Sequence, residues 1–211
     1  MYIMGNIIVF CAHDDDFAVG ALGTILKEID NGNNVLEVIF SAGQKSHPHY
    51  KEEVISRKRA NETLSVNEKL KVETLFLGLD DAKLAQVIDT NVKNKIREVI
   101  QNNKPEKIFV DSQYDPHPDH RAVFKCVDDV LKEMRFETKV YSYEVWNLLK
   151  ENKPVVYEDI SNYFLKKINI MKQYKTQLYF MYVLMLPVYI RSKLYGRKIK
   201  VKYAEKFYRV K

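Results

Sequence analysis

The sequence predicts an α/β fold three layers deep, with helices on both faces of a mainly parallel sheet. Three observations predict it. Short apolar runs recur at Ile7–Phe10, Val35–Phe40, Thr74–Leu77, Ile108–Val110 and Val140–Trp146. The stretches between them are long enough for helices, which is the rhythm of βαβ units. The first runs are nearly continuous Ile, Val and Phe, as in strands buried on both faces.

Each element follows from local pattern. After the first strand, Phe17, Ala21, Leu22, Ile25, Leu26 and Ile29 form a helical stripe over Phe17–Ile29. Asp30-Asn31-Gly32-Asn33-Asn34 stops that helix, with Gly32 as its C-terminal cap. Val35–Phe40 is the second strand. Ser41-Ala42-Gly43 then opens a polar loop running through His47-Pro48-His49-Tyr50. Glu52–Val66 reads as a charged helix carrying Arg57 and Arg59, and Thr74–Leu77 as the third strand, ending in Gly78-Leu79-Asp80-Asp81. Val87–Asn103 is an amphipathic helix. Ile108–Val110 is the fourth strand, running into a DxxxDPHPDH loop. A helix follows at Arg121–Met134, and Val140–Trp146 alternates like a strand. Lys150–Pro154 is a polar break, Asp159–Gln177 reads as a helix, and the rest is aromatic and basic. Residues 1–150 are therefore expected to form the core, with 151–211 an extension packed on the same domain. Right-handed crossovers put the strand-end loops on one edge of a parallel sheet. The loops at His13, Ser41, Leu79 and His117 should converge there.

Composition narrows the classes. At 211 residues, 46% hydrophobic and 29% charged, the chain suits one soluble α/β domain. Its two cysteines, Cys11 and Cys126, belong to no CxxC or Cys/His cluster. They read as buried core residues in a reducing compartment, and the cytoplasm is the expected location. The opening MYIMGNIIVF lacks the basic region and cleavage site of a signal peptide. Leu178–Ile190 is apolar but too short to span a membrane and contains Pro187, so it reads as a buried helix or an interfacial anchor. The net charge of +6 is concentrated after Lys166, where Lys and Arg meet one acidic residue, Glu205. That tail is either a solvated basic surface or a face for anionic ligands, including peripheral contact with a membrane. There is no GxxxxGK[ST] and no GxGxxG after the first strand, which argues against phosphate cradling.

The chemistry concentrates at two strand ends. The first run ends in His13-Asp14-Asp15-Asp16, the fourth in Asp115-Pro116-His117-Pro118-Asp119-His120. Ligands bind at the carboxyl ends of strands in open α/β sheets. Carboxylates crowded there repel one another unless a positive charge sits among them, and a divalent metal is the economical one. Catalytic Zn²⁺ takes three protein ligands and keeps an open position. His13 and Asp16 lie three apart at a strand-to-helix joint, and His120 on a converging loop completes a His₂Asp set. Asp15 is then free to take a proton from water activated by the metal. His117 is placed to hydrogen-bond a developing oxyanion or protonate a leaving group, and Asp119 to orient an imidazole. His and Asp donors also accept Fe²⁺ or Co²⁺.

These motifs resemble the PIG-L / LmbE-like N-deacetylases, whose first motif is AHPDDE and whose second is HPDH preceded by Asp. Here they stand as Ala12-His13-Asp14-Asp15-Asp16-Phe17, with Gly20 and Gly23 following, and as Asp115-Pro116-His117-Pro118-Asp119-His120. Phe76-Leu77-Gly78-Leu79-Asp80-Asp81 is similar to the family's FLGxxD segment. Tyr143-Glu144-Val145-Trp146 and Tyr203-Ala204-Glu205-Lys206-Phe207 are also similar, so the resemblance covers nearly the whole chain. It implies a Rossmann-like three-layer fold and removal of acetyl from an N-acetylated amino sugar. It implies His13, Asp16 and His120 as zinc ligands, Asp15 as general base, and His117 as the residue that stabilises the tetrahedral intermediate. Asp81 and either Arg57 or Arg59 are the implied substrate contacts, the register leaving both arginines open. The implied partner is a small amino-sugar conjugate, nucleotide- or lipid-linked, with no nucleic acid; self-association is left open. Two departures stand out. The usual Pro is Asp14, which adds a charge beside the metal, and the usual Glu is Phe17. The rival readings are a metal-dependent hydrolase of another amide or ester, and a non-catalytic basic protein that binds anionic ligands.

Overall fold

The computed structural model describes residues 5–44, 51–146 and 154–211. The loop expected through His47–Tyr50, and most of the break at Lys150–Pro154, lie outside them. Seven strands form one sheet: β1 (Asn6–His13), β2 (Asn34–Ser41), β3 (Glu73–Phe76), β4 (Lys107–Asp111), β5 (Lys139–Tyr143), β6 (Val155–Asp159) and β7 (Ala204–Arg209). Their order is β3-β2-β1-β4-β5-β7-β6. The first five in that order are parallel, while β7 runs antiparallel to both β5 and β6.

The two-residue period of β1 builds the layers. Ile7, Val9 and Cys11 point into one core, and Ile8, Phe10 and Ala12 into the other. The first core is covered by α2 (Leu22–Asp30), α3 (Glu52–Leu70), α7 (Phe164–Met171) and α8 (Leu178–Lys198). The second is covered by α4 (Leu84–Val87), α5 (Thr90–Asn103) and α6 (Pro118–Met134). Cys11 and Cys126 are buried free thiols, one in each core. The strand order reverses between β1 and its neighbours β2 and β4, so the switch point falls at the carboxyl ends of β1 and β4.

Several elements differ from the pattern-based expectation. The first helix is two: α1 (Asp16–Gly20) and α2 meet at Ala21, whose φ of −137° breaks the turn. Gly20 sits there because a Cβ would lie 2.3 Å from the Tyr143 ring, whose hydroxyl donates to the Phe10 carbonyl at 2.9 Å. The helix expected at Val87–Asn103 is α4 and α5, separated where the Asp89 side chain accepts from the Val92 amide at 2.9 Å. β5 ends at Tyr143, short of Trp146. The helix expected at Asp159–Gln177 fails at both ends. Asp159 closes β6, pairing with Ala204, and Lys175–Gln177 is a separate 3₁₀ turn. β7, which local pattern does not mark, is held by partners far from it in sequence, β5 and β6. Leu178–Ile190 does belong to a helix, α8, and Pro187 inside it removes one backbone donor. No helix among the described residues is long and apolar enough to cross a membrane.

Glu205 fastens β7 to the site's first helices. Its carboxylate accepts from the Gly23 and Thr24 amides at 2.9 and 2.8 Å, and from Lys167 Nζ at 2.6 Å. Lys167 also donates to the Val19 carbonyl at 2.6 Å, and both charged groups are buried. Removing one member leaves the other charge unpaired. Glu205→Ala is expected to cost about 3–5 kcal/mol, read as a fall in the urea midpoint; a change within experimental error would count against the staple.

Candidate active site

β1 carries His13 to the sheet edge, and the chain turns sharply there. The His13 amide donates to Asp16 Oδ2 at 2.7 Å, closing a four-residue turn. Asp15 occupies the N-cap position of α1 but makes no capping hydrogen bond with its side chain. The three carboxylates are thus not spent on the helix start. β4 ends at Asp111, and the next loop delivers His117 and His120 at the start of α6. His117 is the N-cap of α6: its Nδ1 accepts from the Asp119 amide at 3.2 Å. That contact assigns the ring proton to Nε2 in the neutral tautomer.

The imidazoles of His13, His117 and His120 meet at the switch point. Their ring centroids lie 4.9 Å (His13–His117), 5.4 Å (His13–His120) and 4.8 Å (His117–His120) apart. Asp16 bridges two of them, with Oδ1 3.3 Å from His120 Nε2 and Oδ2 3.5 Å from His13 Nδ1. The other side of His13 faces Asp81 at 3.1 Å and Asp119 at 3.5 Å. Asp119 also accepts from the Ala82 and Leu84 amides at 2.8 and 3.1 Å, tying the α6 start to the loop after β3. The imidazole its carboxylate faces is therefore His13, while its amide donates to His117. Behind His120 stand Asp115, 3.1 Å from Nδ1, and Asp111, whose Oδ1 is buried without a hydrogen-bond partner.

Among the described residues, three groups of side chains converge closely enough to hold a cation, with ligand atoms within 4.8 Å of one another. They are His13 with His117 and His120, His13 with Asp81 and Asp119, and Asp16 with Asp111 and His120. The expected trio His13, Asp16 and His120 is distributed over these groups. Asp16 faces His13 through Oδ2 and His120 through Oδ1, so the three do not stand together as one of these groups. Imidazole nitrogens and carboxylate oxygens with an unpartnered Asp111 oxygen behind them fit a divalent metal. Asp111 is a site residue that the sequence reading does not include, and the first position of DxxxDPHPDH is its signal.

Electrostatics follow the same geometry. Burial opposes charge on His13, but Asp119, Asp16 and Asp81 outweigh it and raise its pKa well above the usual value. Burial likewise opposes charge on His120, and Asp16 and Asp111 raise it well above the usual value. Burial works against the Asp16 carboxylate too, yet His120 and His13 hold it far below the ordinary range. Burial and the charge of Asp16 push Asp111 up to about 8. His117, less enclosed, is lowered by burial and by its two neighbouring imidazoles, which favours the neutral ring.

A cation must displace the protons on His13 and His120. These raised imidazoles stabilise the metal-free protein below the ordinary His range, and that contribution is lost as pH rises through their raised values. Zinc should therefore raise the melting temperature little below about pH 6 and much more above about pH 8. An equal shift at both, read by thermal unfolding with and without the ion, would contradict this.

Arg59 and Arg57 part company. Arg57 is exposed on α3 and does not line the cavity. Arg59 is 3% exposed; its Nε donates to Asp14 Oδ1 at 2.8 Å, and Nη2 reaches both Asp14 and Asp15 Oδ1, the latter at 3.0 Å. Asp14 also accepts from Thr63 Oγ1 at 3.3 Å. The extra charge at the first motif therefore faces α3 and is neutralised there. Burial still pushes the Asp14 carboxyl up to about 6, against the pull of Arg59. Gly43 makes room for the guanidinium: at φ +61°, a Cβ there would stand 2.6 Å from Arg59 Cζ. Phe17 is fully buried in the core and takes no part in the site.

The cluster opens into a cavity of about 320 Å³. Its lining includes the polar side chains of His13, Asp15, Asp16, Arg59, Asp81 and His117 and the apolar ones of Val145, Trp146, Phe180 and Leu184.

A mainly parallel α/β sheet with a His/Asp cluster at its switch point defines the class. The chain belongs to the PIG-L family, described as GlcNAc-PI de-N-acetylase, which residues 8–131 match. Among solved structures it is similar to the 4-carboxy-2-hydroxymuconate hydratase GalB from Pseudomonas putida, at 18% identity over 99% of this chain and 97% of that one, with a TM-score of 0.86. It is similar to the N,N'-diacetylchitobiose deacetylase from Pyrococcus horikoshii, at 19% identity over 98% and 84%, TM-score 0.81. It is also similar to the deacetylase of the A40926 pseudoaglycone, at 15% identity over 98% and 97%, TM-score 0.76. A hydratase and deacetylases thus share this fold, and the reaction has to be argued from the site.

Proposed function

We propose that this protein is a metal-dependent hydrolase that removes the N-acetyl group from an amino-sugar conjugate. The observation that carries the reading is the convergence of His13, His117 and His120, with His13, His117, Asp15 and Asp16 lining one cavity. Family membership and two deacetylases of the same fold support it.

His13, Asp16 and His120 would hold the ion. Zinc is the favoured one, and the same donors suit Fe²⁺ or Co²⁺. When bound, it supplies Lewis acidity toward the amide oxygen and a lowered pKa for water. Asp15 reaches the cavity with Oδ1 fixed by Arg59 at 3.0 Å, so its other oxygen is directed by that pairing. It takes the proton of the attacking water and returns it to the departing amine. His117 Nε2–H donates to the carbonyl oxygen as charge builds there; a neutral ring suffices, because the proton is already on that nitrogen. Asp119 and Asp81 keep the His13 ring oriented. We read Arg59 and Asp81, which line the cavity, as contacts for sugar hydroxyls, and its apolar lining as the seat of the group the sugar carries.

The test compares wild type with His120→Ala for zinc content and for amine release from a panel of N-acetylglucosamine conjugates. About one zinc per chain, lost in the variant together with amine release, is expected. Metal without amine release from any conjugate would overturn the deacetylase reading and send the site to another amide, an ester, or hydration of a double bond. No metal in the wild type would bring forward the basic binding protein.

A further inference from the structure

Helix α8 is half solvent-facing, and the exposed half is apolar. Its core stripe is Met181, Leu184, Val188, Ser192 and Gly196, spaced three and four apart. The opposite stripe follows the same spacing: Tyr179, Tyr182, Val183, Leu186 and Ile190. Tyr179 is 76% exposed and Leu186 64%. From Leu178 to Ile190 the helix carries no charge at all; then come Arg191, Lys193, Arg197 and Lys198. Monomeric soluble proteins rarely leave a continuous aromatic and aliphatic stripe of this kind uncovered.

We propose that this face of α8 docks on the surface of an anionic lipid bilayer. Charge selects that occupant. From residue 160 to residue 204 the sequence has no Asp or Glu, while Lys193, Arg197, Lys198, Lys200 and Lys202 are exposed. The basic rim touches the apolar patch: Lys193 Nζ lies 5.7 Å from the Tyr189 ring centre, and Lys202 Nζ 5.6 Å from that of Tyr203, the two rings being 5.9 Å apart. A second copy packed on the same face would bring another acid-free, basic surface to this rim. An anionic bilayer supplies both missing partners, acyl chains for the stripe and headgroup charge for the rim. Tyr179, Tyr182 and Tyr189 are the amphipathic rings that settle at such a boundary.

The docking helix also lines the cavity. Phe180 and Leu184 belong to α8 and line the same space as His13, Asp15 and Trp146.

The experiment is co-sedimentation of the full chain with vesicles of phosphatidylcholine alone or mixed with phosphatidylglycerol, at low and at moderate salt. Binding is expected to the anionic vesicles, weakened by salt and weaker still without phosphatidylglycerol. Replacing Tyr179, Tyr182 and Leu186 together by Ser should weaken it by at least about tenfold, with circular dichroism unchanged. A single variant covers the case in which the triple one misfolds. In Leu186→Trp, the added indole should shift its emission to the blue on anionic vesicles, above the Trp146 background of wild type. No binding at low salt overturns the proposal. So does binding lost on charge reversal at Lys193 and Arg197 but untouched by the Ser variant, because electrostatics alone would then account for it. A dimer that dissociates in the Ser variant and ignores vesicles assigns the face to a second copy instead. All of these readouts are independent of amine release, so failure here leaves the proposed reaction standing, and the reverse.

Discussion

Asp15→Asn should hold its metal and lose about 10²–10⁴-fold in kcat, the usual contribution of a general base. Asn keeps the shape of the side chain and an oxygen that can still accept from Arg59 Nη2, now 3.0 Å from Asp15 Oδ1. What it removes is the capacity to take a proton. KM should change little, since the proposed sugar contacts, Arg59 and Asp81, stay in place. Metal analysis and steady-state kinetics on the same preparation separate the outcomes. Full turnover would end the base assignment. Loss of metal along with turnover would move Asp15 into the ligand set.

The second large effect is on stability. Arg59→Met is expected to cost about 3–5 kcal/mol, because it strands a buried carboxylate. Asp14 is 1% exposed, and without the guanidinium it keeps the hydrogen bond from Thr63 Oγ1. The double variant Asp14→Asn, Arg59→Met should recover a sizeable part of that loss, since a neutral amide needs no counter-charge. Denaturant unfolding of the wild type, both single variants and the double variant measures the coupling. Additive losses would mean that the two residues act apart. Activity should fall in every variant lacking Arg59, because the same guanidinium fixes Asp15. The pair explains how the chain tolerates Asp14 at this turn: its charge is turned to α3, with Arg59 nearly fully buried beside it.

The sequence by itself determined the parallel strands of the sheet and the two motifs. Continuous apolar runs at Ile7–Phe10 and Ile108–Val110 become neighbouring parallel strands, with Ile8 opposite Ile108. That pairing places His13 and His120 within one cluster. Local pattern sufficed because buried strands and helix stripes write their period into adjacent residues.

Only the tertiary structure decided the rest. It separated Arg59 from Arg57, which no periodicity could do: two residues apart on one helix, one is buried against Asp14 and the other exposed. It added Asp111, whose role depends on lying behind His120 rather than on its spacing from it. It turned Asp119 toward His13 and the Ala82 amide instead of its neighbour in sequence. It recruited β6 and β7 to the sheet, a pairing between segments separated by α7 and α8. The physical reason is common to all four. Local pattern encodes what a residue's own element requires, whereas a partner for a buried charge or an edge strand is set by which distant segment packs against it.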